Sequence, residues 1–199
     1  APVAVVRVAT KALRLQPTDG AAVTVDPIDA SVDMAGASKP AEIALRTAIS
    51  TPGTGGSAPV TVAARLRDWC RADGTFATDA VQPDGRIEVR DASTAVLGAL
   101  LCRGNELVEA LGPSASLLCN VKSTGPGAAD ADLTVSSRYL NVAVPRCAYR
   151  SGTLAIAPAQ PLRVEFIPSA PLRHRLLEPI NPIFRDVRLA DERKPILFT

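Results

Sequence analysis

The chain has 199 residues, 47% of them hydrophobic but only 4% aromatic, and a formal net charge of +2. That length suits one sizeable domain whose core needs neither disulfide nor metal, and the core must be filled by Val, Leu, Ile and Ala. Arginine outnumbers lysine by 18 to 4 yet is spread from Arg7 to Arg193, so no basic arm for a nucleic-acid backbone is indicated, and no apolar run is long enough for a membrane-spanning helix.

In chain order, Val3 and Val5, then Val6 and Val8 after a parity slip at Val5-Val6, and then Leu13 and Leu15 read as a first strand or pair of strands, and Val23 and Val25 resume the alternation after Thr18-Asp19-Gly20. Asp-Gly between two alternating runs predicts a hairpin, because both residues tolerate the positive φ of its turn. Ala41 to Ser50 reads as a strand, Thr51 to Pro59 as a loop, and Val60 to Leu66 as a half-buried strand that ends near Trp69. Arg71-Ala72-Asp73-Gly74 and Gln82-Pro83-Asp84-Gly85 predict turns around short runs at 75–81 and 86–90.

Between Ser93 and Gly112 the apolar residues recur at three and four. A helix is predicted there, capped by Ser93 or Thr94, stopped by Gly112-Pro113 and open to a break at Gly104; a hairpin turning at Arg103 to Glu106 is the alternative. Ala115 to Val121 reads as a strand and Ser123 to Ala131 as a loop tip. From Asp132 to Pro168 two long period-2 segments follow, with a parity change at Tyr139 and Leu140 that places a β-bulge near Arg138 to Leu140.

Seven prolines lie between Pro158 and Pro195, and Pro179 and Pro182 interrupt any helical spacing nearby, so the tail is expected to run extended with at most a short helical turn. Its apolar residues need a dry surface: Leu172, Leu176, Leu177, Ile180, Ile183, Phe184, Leu189, Ile196, Leu197 and Phe198 are the candidate subunit contacts. The prediction is an all-β chain: an antiparallel β-sandwich of jelly-roll or Greek-key type over residues 1–168, at most one or two short helices, and an extended Pro-rich C-terminal arm, 169–199, packing on its own domain or on a neighbouring subunit.

Chemistry-bearing patterns are sparse. His174 is the sole histidine and sits between Arg173 and Arg175, which disfavour its protonated form. Cys70, Cys102, Cys119 and Cys147 lack paired spacing and read as reduced, buried small hydrophobes, with two disulfides as the alternative. Asp26, Asp29 and Asp33 read as turn acids rather than calcium ligands; Glu106 with Glu109, and Asp68 with Asp73, are acid pairs of the kind any chain with 20 carboxylates offers. Ala1-Pro2 opens without the basic and apolar regions of a signal peptide.

No catalytic residue, cofactor or metal site is therefore expected. The expectation is a non-enzymatic structural subunit of a large homo- or hetero-oligomeric assembly, a coat, decoration or tail protein of a virus or phage particle, located in the virion after assembly in the host cytoplasm. Its partners would be copies of itself and other particle proteins, with no strong sign of direct nucleic-acid binding, a formed basic patch being left open, and with no membrane contact. The alternatives are a ligand- or carbohydrate-binding β-sandwich module using Trp69, Tyr139 and Tyr149, and an enzyme that brings a cysteine or an acid pair to a polar cleft near His174.

Overall fold

Alternating sequence becomes strand over most of the described residues, and the strands join into one sheet. The computed structural model describes residues 4–16, 22–36, 39–50, 57–100, 106–150, 153–156, 162–167, 178 and 196–198. Along the chain these form β1 (Ala4–Ala9), β2 (Leu13–Leu15), β3 (Val23–Val25), β4 (Asp29–Met34), β5 (Ala41–Ser50), β6 (Ser57–Arg67) and β7 (Gln82–Ser93). Two short helices follow, α1 (Thr94–Leu100) and α2 (Glu106–Leu111), and then β8 (Ser114–Gly125), β9 (Ala128–Ser137), β10 (Leu140–Arg150), β11 (Thr153–Ile156), β12 (Arg163–Phe166) and β13 (Ile196–Phe198).

The sheet runs in the order β1-β4-β5-β6-β7-β8-β9-β10-β12-β13, and its pairs are antiparallel. Strands β4 to β10 are consecutive neighbours, so the centre is a meander. Each flank of this centre is split. Along β5 the first half pairs with β4 and the end with β3, while along β10 the first residues pair with β12 and the last with β11. The chain is all-β with two short helices, but its described residues make one open sheet and not the two facing layers of a sandwich. Turn spacing predicts how often the chain reverses; it does not say whether the reversed strands stay in plane or fold over one another.

Registers show why the sheet has two unlike sides. Ile43 lies opposite Ala64 and Leu45 opposite Val62; Val62 then meets Ile87, Ile87 meets Cys119, Cys119 meets Leu133 and Leu133 meets Val144. Because successive side chains point to opposite faces, these residues share one side and Glu42, Arg65, Arg86, Asn120, Asp132 and Thr134 share the other.

Among the described residues a small buried apolar cluster sits at one end. Val23 and Val96 pack together with Ile49 beside them, so α1 and β3 cover the end of the apolar side where Ala58, Ala92 and Ala115 are also buried. The helical excursion is closed on itself at that end. The Thr94 amide donates to the Pro113 carbonyl at 3.1 Å and its buried hydroxyl donates to the Gly112 carbonyl. Gly112 itself has φ +88° and donates to Val108 O at 2.8 Å, the left-handed helix stop that a Cβ would oppose, since it would lie 2.9 Å from the Arg138 Cβ.

At the other end the 68–81 connection folds against the β8–β9 turn. Gly127 donates to Val81 O at 3.2 Å, Ala77 is buried, and Trp69 Nε1 donates to Lys39 O at 2.9 Å. The predicted Arg71–Gly74 turn forms here, with Gly74 N donating to Arg71 O at 3.0 Å and the Asp73 carboxylate accepting from Thr75.

Several predictions along the chain need correction. Gln82-Pro83-Asp84-Gly85 is not a turn but the start of β7: Gly85 lies close against β6, where a Cβ would sit 3.0 Å from Ala63 O, and Asp84 accepts from Arg67 and from the Ser123 amide. No strand spans 75–81; Cys70 and Phe76 make only an isolated bridge. The loop tip expected over 123–131 contracts to Pro126-Gly127 between two paired strands. The parity change at Tyr139 marks the two-residue Arg138-Tyr139 turn between β9 and β10, and the register shift falls between Val144 and Cys147 instead. The helix prediction resolves into α1 and α2 on either side of residues 101–105, Gly104 among them, which lie outside the described residues.

Candidate functional site

The feature that stands out is a surface. Across β4 to β10 the apolar side is lined mainly by Val, Leu, Ile and Ala, with Thr47, Gly85, Cys119 and Cys147 among them, and its middle is only half-buried. Ile87 shows this most plainly, because it lies at mid-length of the central strand, flanked by Val62 and Cys119, and is still 39% exposed. At the free edge Val6 and Val8 of β1 continue the same side at 48% and 51% exposure, their registers placing them opposite Val32 and Ala30. Contiguous exposed apolar surface of this extent marks an interaction site on a folded protein.

Cys119 and Cys147 lie on this apolar side, and Cys70 in the 68–81 connection; all three are free and half-buried, while Cys102 lies outside the described residues. Burial, then the neighbouring Cys147 and the Asp132 carboxylate, push the Cys119 thiol above its ordinary value, the opposite of what a nucleophilic cysteine needs.

The other side carries ion pairs. Arg65 reaches Glu42 at 3.2 Å across β5 and β6, and Arg67 reaches Asp84 at 3.0 Å across β6 and β7. Glu88 lies between Arg86 at 3.2 Å and Arg90 at 2.6 Å, and Asp130 between Arg146 at 2.7 Å and Arg150 at 3.0 Å. These pairs keep that side hydrated and give the sheet its orientation toward water. Two shallow depressions lie on the sheet, about 240 Å³ beside Asn141, Arg163 and Glu165 and about 160 Å³ beside Thr61, Glu88 and Arg90. Both are smaller than the clefts that enclose a small-molecule ligand.

Glu88 gives a testable pH dependence. The Arg90 guanidinium, then the charge of Arg86, holds its carboxyl below the ordinary glutamate range. A depressed native value contributes stability that is complete above about pH 4.3, the unfolded value, and is lost as pH falls through the native one. Glu88→Gln is therefore expected to be less stable than the parent at pH 7 and to lose that difference progressively as pH falls below the ordinary glutamate range, read as urea midpoints along an acid titration; a constant offset would contradict the coupling.

The residues singled out in the sequence are scattered. Trp69 sits at one end of the sheet with its indole committed to Lys39 O, Tyr149 is exposed at that same end of β10, and Tyr139 lies in the opposite turn with Arg138 5.4 Å above its ring. They do not form one platform. Asp29 and Asp33 lie along β4 and Asp26 just before it, where its carboxylate accepts from Ser57 at 3.4 Å. Asp68 accepts from Gln82 at 2.7 Å, Asp73 is held low by the Thr75 hydroxyl and amide, and Glu106 and Glu109 both occupy the first turn of α2.

Among the described residues no group of three metal-ligating side chains comes together, and no helix is long and apolar enough to cross a membrane. Of the ten predicted subunit contacts, Leu172, Leu176, Leu177, Ile180, Ile183, Phe184 and Leu189 lie outside the described residues, as does His174. Ile196, Leu197 and Phe198 form β13, paired with β12 of the same chain. The apolar sheet face was missed as a site; its signal was the alternation itself, repeated in phase across six long strands.

No protein-family model matches this chain, and neither curated proteins nor solved structures include a significant match.

Proposed function

We propose that this chain is a non-enzymatic structural subunit of a large oligomeric assembly, of the kind that forms virus or phage particles as a coat, decoration or tail protein. The observation that carries the reading is the apolar side of the sheet, which runs across seven consecutive strands and leaves Ile87 at its centre 39% exposed. A soluble antiparallel sheet covers one face and wets the other. Here the wet face is supplied with ion pairs, and the dry face calls for a covering layer that another subunit provides. The sandwich architecture expected from the sequence then arises between subunits.

The Pro-rich arm, 169–199, belongs to the same reading as a second contact device, with Leu172 to Leu189 as its apolar anchors. The test is the solution mass of the full-length chain by size-exclusion with light scattering, beside a chain truncated after Pro168. Oligomers or particles are expected for the full-length protein, with a smaller species on truncation if the arm contributes. A full-length protein that stays at single-chain mass from about 1 to 100 µM, a range that spans ordinary specific affinities, would overturn the reading.

A further inference from the structure

We propose that the apolar face pairs with the same face of a second copy, two chains together making a β-sandwich whose two-fold axis passes beside Ile87. The inference rests on the assembly reading above and names its surface and its partner.

Three observations support a second copy as the occupant. The first is area. Seven adjacent strands at about 4.8 Å spacing span about 29 Å, and about eight residues along each span about 26 Å. The face thus offers on the order of 750 Å² of projected surface, close to the roughly 800 Å² that each partner buries in a stable specific interface. The second is composition. A two-fold contact sets each residue near its own copy, so a charge would face a like charge; by register the residues of this side on β5 to β9 include no Asp, Glu, Lys or Arg. Small residues, Ala64 and Gly85 near the middle and Ala131 further along, keep the face flat enough for sheets to approach to about 10 Å.

The third is the sheet's own edges. The sheet is open, ending at β1 on one side and at β13 on the other. Open edges leave rows of backbone donors and acceptors that water satisfies in a face-to-face pair and that hydrocarbon would leave unsatisfied, which disfavours a lipid bilayer as the covering layer. Ile87 is the centre of the arrangement because overlap is greatest when the axis crosses the middle of the middle strand.

The test uses the full chain with substitutions at position 87 and a control on the opposite face. Since Ile87 is partly exposed, Ile87→Glu is expected to fold, checked by circular dichroism and melting temperature, and to halve the light-scattering mass of the smallest oligomer. In a Cys119→Ser background, which removes the free thiol directly across from position 87, Ile87→Cys is expected to give a disulfide-linked dimer on mild oxidation, well above the background of Cys119→Ser alone and of Cys119→Ser with Glu88→Cys, whose thiol faces away. If the parent is oligomeric but Ile87→Glu leaves its mass unchanged and Ile87→Cys does not cross-link, this face is not the contact, and the assembly reading survives on another surface. If the parent is a monomer at every concentration, both fall. A parent that is monomeric in buffer but floats with phosphatidylcholine vesicles would assign the face to lipid and overturn the second-copy proposal.

Discussion

Val96→Asp is expected to leave the chain without a cooperative unfolding transition at room temperature. Val96 is 2% exposed and packs on Val23, which is fully buried, with Ile49 beside them. An unpaired carboxylate in that setting costs several kcal/mol, against a total stability of about 5–15 kcal/mol for an ordinary domain. There is little reserve to absorb the loss. Among the described residues ten apolar side chains are buried, and Ala41, Ala58, Ala77, Ala92, Ala115 and Ala129 make up six of them. The same site with Val96→Ala loses about 1–3 kcal/mol, from two methyl groups and the space they leave. Urea titrations followed by circular dichroism separate the two variants, at one fixed protein concentration because association adds to apparent stability. Equal midpoints for Val96→Asp and Val96→Ala would mean that α1 does not anchor the sheet's end.

Gly127→Ala is expected to lower stability by about 2–3 kcal/mol, the sum of a left-handed backbone and a close approach. Gly127 has φ +59°, and a Cβ there would stand 2.6 Å from the Asp79 carbonyl oxygen. The clash is with backbone, so no side-chain rotation relieves it. Gly74 provides the control: its φ is +85° but nothing lies within 4 Å of its Cβ direction. Gly74→Ala should therefore show the backbone cost alone, about 1 kcal/mol. The difference between the two measures how firmly the 68–81 connection is seated on the β8–β9 turn, and equal losses would show that the seat is soft.

The strands that alternate cleanly were legible. Ala41 to Ser50 coincides with β5, and Leu13–Leu15 and Val23–Val25, the two runs that the Asp-Gly turn was expected to join, pair as β2 with β3, the turn itself lying outside the described residues. Strong turn dipeptides misled where tertiary contacts outweighed them. Asp84-Gly85 lies inside a strand because Gly85 allows β6 to approach and Asp84 finds Arg67 and the Ser123 amide, so neither residue needs a turn to satisfy it. The opposite error occurred at Arg138-Tyr139, where an undistinguished dipeptide makes a tight turn held by Ser137, whose hydroxyl accepts from the Leu140 amide at 3.0 Å. The candidate face was encoded in the alternation, but a period of two says only that a strand has two sides. That β4 to β10 place their apolar sides in phase, in one plane, is a property of the registers between successive strands, which no single strand's alternation states.

The measurement that tests the face most directly is hydroxyl-radical footprinting of Leu45, Val62, Ile87 and Leu133 in the full-length protein over a dilution series. Cover by another subunit predicts protection at high concentration that is lost together, on dilution, as the light-scattering mass falls. Labelling at the rate of an exposed side chain at every concentration would show the face to be permanently bare, and protection that persists where the light-scattering mass is that of a single chain would show it covered by its own chain; either result contradicts the assembly account.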